Sequence, residues 1–453
     1  MMREYREVSA ARCCFAAVLV GLSMFEVSLW VERSPEMEEE RGLLSAGAVG
    51  EDAADDGSNA PPAKRAKSEH EQPALNPNAK RKVVLLVAYN GAGYSGLQKN
   101  PDVVTVEHKL EEALHKAGAI SDDNRGTLQK ISWSRSGRTD KGVHALGQVI
   151  SCKLILSPEG LIERVNNLLS GTGISVLGLE RVSNNFCAHT MCSSREYEYL
   201  LPARVLRTNA ITDGSDHPPG CGANADAPLS EEESARLLNL FKSYEGTHFF
   251  HNFADGKIAH TDGQARRYMM ELTLGEPLTL QGVAFVSFRL HGQSFMLHQI
   301  RKMIAMVCAV FRGTVPSDAI VKALTLPKVP SIPLAPSCSL TLRRALYANY
   351  ERRRPLDRAS VHFAECEGAQ QAFLAEHILP HVGDCLAGGE FTQFVAALDA
   401  YQMTTAAPSV APTQKKPEQA EPGHGEAESV QGQDADATLQ SSGEAVGVPS
   451  STL

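Results

Sequence analysis

The chain has 453 residues, long enough for two or three domains, and its 43% hydrophobic content is ordinary for globular protein. The formal net charge of −9 is unevenly spread: residues 1–78 carry eight Lys and Arg against fourteen Asp and Glu, residues 403–453 two against seven, while residues 79–350 are net +6. The acidic balance therefore belongs to the tails; it does not exclude a polyanionic partner for the middle of the chain, nor does +6 establish one.

Residues 1–78 read as a disordered leader. Within it the apolar run Cys13–Phe25, preceded by Arg3, Arg6 and Arg12, resembles a targeting segment. Glu4, Glu7 and Glu26 weaken that reading, and the run is short of the roughly 20 residues a bilayer span needs, so no membrane association is expected. The basic clusters Lys64–Lys67 and Lys80–Lys82 suit a bipartite import signal, which predicts a nuclear protein, with mitochondrion or cytoplasm as alternatives.

From residue 79 the pattern alternates. Val83–Tyr89 is an apolar run closed by Asn90 and Gly91 and reads as a buried strand. Val106, Leu110, Ala113 and Leu114 give a helical stripe. Strands are expected over Ile131–Arg135 and Leu146–Leu156, a helix over Leu161–Leu169, and strands over Ile174–Val182 and Glu196–Leu201. Then follow a helix over Ser230–Lys242, strands over Met269–Leu274 and Val283–Leu290, a helix over Phe295–Arg312 and a strand over Ala345–Tyr350. Asp213–Pro228 reads as a surface insertion. Phe363–Leu379 and Phe391–Tyr401 could be amphipathic helices, and beyond Met403 the Pro, Gln, Glu, Gly and Ser content cannot offset chain entropy.

Between the strands ending at Arg135 and starting at Leu146 lies the segment Gly137–Ala145 (GRTDKGVHA). It sets Asp140 on a tight turn between Arg138 and Lys141, with Gly137 and Gly142 allowing backbone geometry and close approach that other residues resist. Taken alone, the plainer reading is a hairpin whose Asp bonds its own turn. The run Ser136–Ala145 resembles, however, the signature loop of the TruA-type tRNA pseudouridine synthases. Further segments are similar to that family in the expected order: Tyr89–Gln98 (YNGAGYSGLQ), Ser193–Tyr199 (SSREYEY), His248–Phe253 (HFFHNF) and Phe295–Lys302 (FMLHQIRK), together spanning about residues 82–350. The wording of the last two is most similar to the eukaryotic multisite tRNA branch.

The resemblance implies an α+β fold: two ferredoxin-like (RRM-like) halves, residues 79–205 and 206–350, whose antiparallel sheets join, with helices on one face and a central cleft. A helical extension over 351–402 and an acidic tail over 403–453 would follow. It also implies an isomerase that breaks the C1′–N1 bond of uridine in tRNA, turns the base and rejoins it through C5. Asp140 would be catalytic, either attacking the nucleoside or removing a ribose proton. Either route needs an ionised carboxylate, and burial raises a carboxyl pKa unless a cation compensates. Arg301 matches the family arginine that pairs with the Asp, Arg138 the one that holds the flipped nucleotide or takes its place, and Tyr197 the tyrosine against the target base. Lys141, His144, Arg195, His298 and Lys302 read as RNA or structural contacts. Asn90 stands where an acidic residue is usual and Leu97 where Trp is usual, in a segment expected to line the RNA groove.

No cofactor is implied. The ten cysteines include no Cys-x-x-Cys pair, and Cys187, His189 and Cys192 lack a second pair, which argues against zinc; the scatter also reads as a reduced, intracellular compartment. A methyltransferase would need a donor site, and Gly91–Gly93 is too short a signal for one. A silent RNA-binding protein or tRNA chaperone on the same fold is the rival of a different class; it predicts loss of the Asp, Arg or Tyr, and all three are present. No obligate protein partner is expected.

Overall fold

The computed structural model describes residues 79–156, 160–207, 225–255 and 258–403. The N-terminal apolar run, the cluster Lys64–Lys67, most of the 213–228 insertion and the tail beyond Met403 lie outside them. The elements run β1 (Lys80–Tyr89), α1 (Val106–Lys116), β2 (Ser134–Arg135), β3 (His144–Ile155), α2 (Leu161–Leu169), β4 (Ile174–Arg181) and β5 (Ser194–Pro202). There follow α3 (Glu231–Lys242), β6 (Gly246–Phe249), β7 (Arg266–Leu274), β8 (Leu278–Leu280), β9 (Val283–Gly292), α4 (Gln299–Phe311), α5 (Ala319–Thr325) and β10 (Leu340–Leu346). The extension adds α6 (Ala348–Arg353), α7 (Glu367–Phe373), α8 (Leu379–Ala387) and α9 (Glu390–Ala400).

Ten strands form one sheet in the order β4-β1-β3-β10-β5-β9-β7-β6, with β2 on β3 and β8 on β9. Every pairing is antiparallel except β3 with β10, which is parallel and confined to Thr341 opposite His144 and Leu342 opposite Ala145. This short pairing joins the strands of residues 80–181 to those that follow. The loop carrying Asp140 ends where it begins.

Alternation along β1 explains the layers. Val83, Leu85, Val87 and Tyr89 point into the main core with α1, α2 and α4, whereas Val84, Leu86 and Ala88 point to the opposite face. That second face is not open. Phe363 and Cys366 cover Val84 and Leu86, and Phe373, Ile378 and Val382 cover Ala88, Leu146, Leu200 and Phe285. Helices on one face only was the expectation; apolar residues on both faces of β1 are the physical reason for two.

Local rules set several helices. Thr105 caps α1 by accepting from the His108 amide, and Ser230 with Glu233 forms a reciprocal capping box at α3. Helix α4 is buried almost all round: within Gln299–Phe311 every residue is buried except Arg301, which is half-buried. Two readings need correction. Leu128–Ile131 is a 3-10 turn, leaving only Ser134–Arg135 as strand, and the last strand is Leu340–Leu346, with Tyr350 in a helix. Lys80–Lys82 is the start of β1, where Lys82 is buried and donates to the Ser132 carbonyl.

Candidate active site

The loop between β2 and β3 is held from both sides. On one side stands the Tyr89–Gln98 segment. The Tyr89 hydroxyl and Thr139 Oγ1 share a hydrogen bond of 2.7 Å, the Leu97 amide donates to the Thr139 carbonyl at 3.2 Å, and the Gly91 amide donates to His144 Nδ1 at 3.0 Å. The approach is so close that a Cβ on Gly91 would lie 2.2 Å from the Val143 oxygen, and one on Gly96, at φ +86°, 2.9 Å from the Thr139 oxygen. Leu97 is fully buried and Asn90 accepts from the Ala92 amide while donating to the His377 carbonyl. This segment therefore buttresses the loop; the expectation that Leu97 lines an RNA groove is corrected by its burial.

On the other side, Arg195 donates from Nε and its terminal nitrogens to the carbonyls of Ser136 and Gln293. Gln148 accepts from the Ser136 hydroxyl and donates to the Gly137 carbonyl at 3.0 Å. Gly142, at φ +78°, leaves room for Ser337: a Cβ there would sit 2.6 Å from its hydroxyl. The loop is thus fixed at each end before any side chain on it is considered.

Asp140 projects from this frame with 22% of its side chain exposed. Burial raises its pKa; His298 and Arg301 oppose the rise, and Asp255 adds to it. His298 is the nearest of these, its Nε2 4.0 Å from Asp140 Oδ2 and its Nδ1 3.7 Å from Asp255 Oδ2. It occupies the position before α4 in a left-handed conformation, φ +65°, and caps no amide of the first turn with its side chain; Gln299 accepts from the Met296 amide just upstream of the helix. Arg301 donates from Nε to the Ala335 carbonyl at 2.5 Å and acts on Asp140 through space, without a direct ion pair. The direct pairing implied by resemblance is replaced by this longer interaction.

Tyr197 lies on β5 with 7% exposure, its ring edge-on to Phe295 at 5.1 Å, and its hydroxyl has no hydrogen-bond partner among the described residues. Burial pushes its pKa up to about 12, with Asp140 contributing, so it is a neutral phenol. Arg138 and Lys141 are exposed on the loop and have no side-chain partner among the described residues.

The remaining candidates are structural. His144 is fully buried, accepting from Gly91 and donating from Nε2 to the Cys338 carbonyl at 2.8 Å; burial lowers its pKa to about 4. Lys302 is buried and donates to the Ala254 carbonyl at 2.7 Å, and Arg195 is committed to the loop. Burial removes these three from RNA contact, whereas His298 moves from the periphery to the side of Asp140. Asp255, Thr139, Gln148 and Ser337 were not foreseen. Thr139 stands within the signature run but was given no role there, the other three stand in no motif, and what assigns each is a neighbour eleven or more residues away in the chain.

Comparison with known proteins gives this constellation a context. A family model described as tRNA pseudouridine synthase matches residues 240–348. The mouse protein named Pseudouridylate synthase 1 homolog is 35% identical over 333 residues, 71% of this chain and 74% of its own. Its human counterpart is 35% identical over 356 residues, 76% and 78% of the two chains. The protein named tRNA pseudouridine synthase 1 from Yarrowia lipolytica is 33% identical over 368 residues, covering 65% and 69%.

Proposed function

The chain belongs to the tRNA pseudouridine synthase family, and from that premise we propose that Asp140 is the carboxylate with which it isomerises uridine to pseudouridine in tRNA. The observation that carries the assignment is convergence. A loop fixed by Tyr89, Arg195 and Ser337 presents Asp140 beside Tyr197 from β5 and Arg301 from α4, three elements far apart in sequence.

The reaction moves one bond within a nucleotide. Cleavage at C1′–N1, rotation of the uracil and rejoining at C5 leave the C5 proton to be lost to solvent. Asp140 serves by attack or by deprotonation of the ribose, and both need its charge. Arg301 and His298 favour that charge against burial. Tyr197 suits a flipped base, because aromatic stacking contributes roughly 1–3 kcal/mol, enough to offset much of an unstacking cost of a few kcal/mol. Arg138 and Lys141 suit the flanking phosphates.

The finer architecture we read as two ferredoxin-like halves. What supports this is that β1 to β4 are ordered β4-β1-β3-β2, and β5, β7, β9 and β10 are ordered β10-β5-β9-β7, the first set connected through α1 and α2 and the second through α3, α4 and the short α5. The site then lies where the halves join at β3 and β10. Nuclear entry would rest on Lys64–Lys67, since Lys82 is buried. A fluorescent fusion that stays nuclear after these three basic residues are changed to Ala would refute that signal.

The test of function is tritium release from tRNA labelled at uridine C5. The wild type should release tritium and Asp140→Asn should release none while still binding tRNA. Release by Asp140→Asn would overturn the assignment; binding without release by either protein would favour the silent RNA-binding alternative.

A further inference from the structure

Three large apolar side chains break the surface where the sheet ends at β6 and β7. Phe249, Tyr268 and Met270 are 38%, 44% and 44% exposed. In the segment His248–Phe253, Phe250, His251 and Phe253 are buried and Asn252 donates to the carbonyls of Ala323 and Leu326, which leaves Phe249 as its exposed residue. Met269 and Leu272 turn into the main core, so alternation turns Tyr268 to the second face of the sheet. Pairing puts Thr247 opposite Tyr268 and Phe249 opposite Arg266, and the two rings are therefore diagonal neighbours on that face, about 7–8 Å apart. The C-terminal helices cover this face over Ala88, Leu146, Leu200 and Phe285, but among the described residues none of β6 or β7 belongs to the apolar clusters they form. Arg266 is exposed beside Phe249, without a carboxylate partner among the described residues, and the first carboxylate along β7 is Glu271, beyond the bulge.

We propose that Phe249, Tyr268 and Arg266 form a second RNA-binding surface, on which one or two unstacked bases of the tRNA lie against the rings while Arg266 meets an adjoining phosphate. The proposal rests on the reading of the chain as an enzyme acting on tRNA. An open sheet face that presents aromatic rings is how RRM-type sheets stack two or three bases, and every base has a face to offer such a ring. Size favours RNA over a protein partner. Two rings of roughly 150–250 Å2 each, about two-fifths exposed, offer on the order of 150 Å2. That matches a base or two and is a small part of the about 800 Å2 per partner that a stable protein complex covers. A charge without a carboxylate of its own, next to an apolar ring, also fits a nucleotide, which has both a phosphate and an aromatic plane.

The surface is joined to the Asp140 site by two short routes. The Tyr268 carbonyl accepts from the Gln293 amide at 3.0 Å, and the Gln293 carbonyl accepts from Arg195, which holds the Ser136 carbonyl at the start of the Asp140 loop. From Phe249 the chain passes through the turn His251–Phe253 to Asp255, whose carboxylate is 3.7 Å from His298. Six residue steps cover at most about 22 Å even fully extended, so one tRNA can reach both places at once. No group on the surface touches the reacting uridine. Its contribution is therefore to binding, and the chemical step is left to the residues around Asp140.

The test uses the full chain and an unmodified tRNA transcript labelled with tritium at uridine C5. Phe249→Ala and Tyr268→Ala should each raise KM at least about fivefold, the lower end for one lost base stack, and leave kcat within about twofold. Tyr268→Trp should keep the wild-type KM, whereas Tyr268→Leu, apolar but without a ring, should not. Arg266→Ala should flatten the fall of log affinity with log salt by about 0.7, as for one phosphate of a single strand, and Tyr268→Leu should leave that slope unchanged. Ultraviolet irradiation of the Asp140→Asn complex, with the surface unaltered, should attach RNA to a peptide holding Phe249 or Tyr268. A wild-type KM in Tyr268→Leu would overturn the proposal and make the corner an apolar contact for protein. A fall in kcat at unchanged KM in the alanine variants, folded by circular dichroism, would overturn it as well, since it moves the effect to the chemical step. Normal release by the wild type with unchanged KM in both alanine variants would strike this surface alone; no release by the wild type itself would strike the functional reading and this surface with it.

Discussion

Asp140 sits in a conflict between burial and function, which makes its replacement informative about both. A carboxylate whose pKa is raised in the folded chain binds its proton more tightly there than when unfolded, so its ionisation opposes folding. This cost is absent below the unfolded carboxyl range and fully present above the folded pKa. Asp140→Asn keeps the shape and removes the charge. It should therefore lose turnover, keep tRNA binding, and melt at a higher temperature than the wild type at neutral pH, the difference closing as pH falls below the usual carboxylate range. Calorimetry across pH checks this, and an equal Tm at neutral pH would contradict it. His298→Ala removes the imidazole that opposes the burial-driven rise in the Asp140 pKa, so the acidic limb of the rate profile should move to higher pH; each unit moved is about tenfold in rate on that limb. Unchanged limbs with a reduced plateau would instead make His298 a packing residue.

At the scale of elements, the joint between β3 and β10 is the most exposed to damage, because only two residue pairs make it. Gly147 lies just beyond them. A Cβ there would meet the Arg343 carbonyl oxygen at 2.3 Å, at the point where the β10 register shifts between Leu342 and Arg344. Backbone cannot move aside as a side chain does, so Gly147→Val should destabilise by about 1–3 kcal/mol and lower activity with Asp140 itself intact. A wild-type Tm would show that the strands separate without strain. The same joint shows what a sequence conveys. Helices α1, α2 and α3 were legible from periodicity and caps, because those signals lie within a dozen residues. Strand β10 was placed five residues late, because its run SLTLRRAL gains its meaning from β3 and β5, which lie far away in the chain. At the site, Asp140, Tyr197 and Arg301 were legible through resemblance. His144, Arg195 and Lys302 look like RNA-binding residues in a list, and become structural once burial commits their nitrogens to carbonyls.

For the whole molecule, the C-terminal extension is part of the fold, and the chemistry is expected not to need residues 1–78 and 404–453. Among the described residues, the groups that act on Asp140 and the residues bonded to its loop lie between residues 89 and 338, so residues 79–403 should isomerise uridine at the rate of the full chain. Cutting at residue 355 should not be tolerated. It uncovers Ala88, Leu146, Leu200 and Phe285 on one face, and it removes Phe391, Phe394 and Leu398 from the main core beside α4. It also leaves Arg312 without Asp399, its partner at 2.5 Å. Each large apolar side chain so displaced is worth about 1.5–3 kcal/mol, and the losses include Phe373, Ile378, Val382, Phe391, Phe394 and Leu398. Their sum is comparable to the entire stability of a typical domain, about 5–15 kcal/mol. The shortened chain should therefore aggregate on expression, and sedimentation of the soluble fraction beside residues 79–403 measures it. A soluble, active product ending at residue 355 would mean that the sheet tolerates a bare second face and that the extension acts on something other than folding.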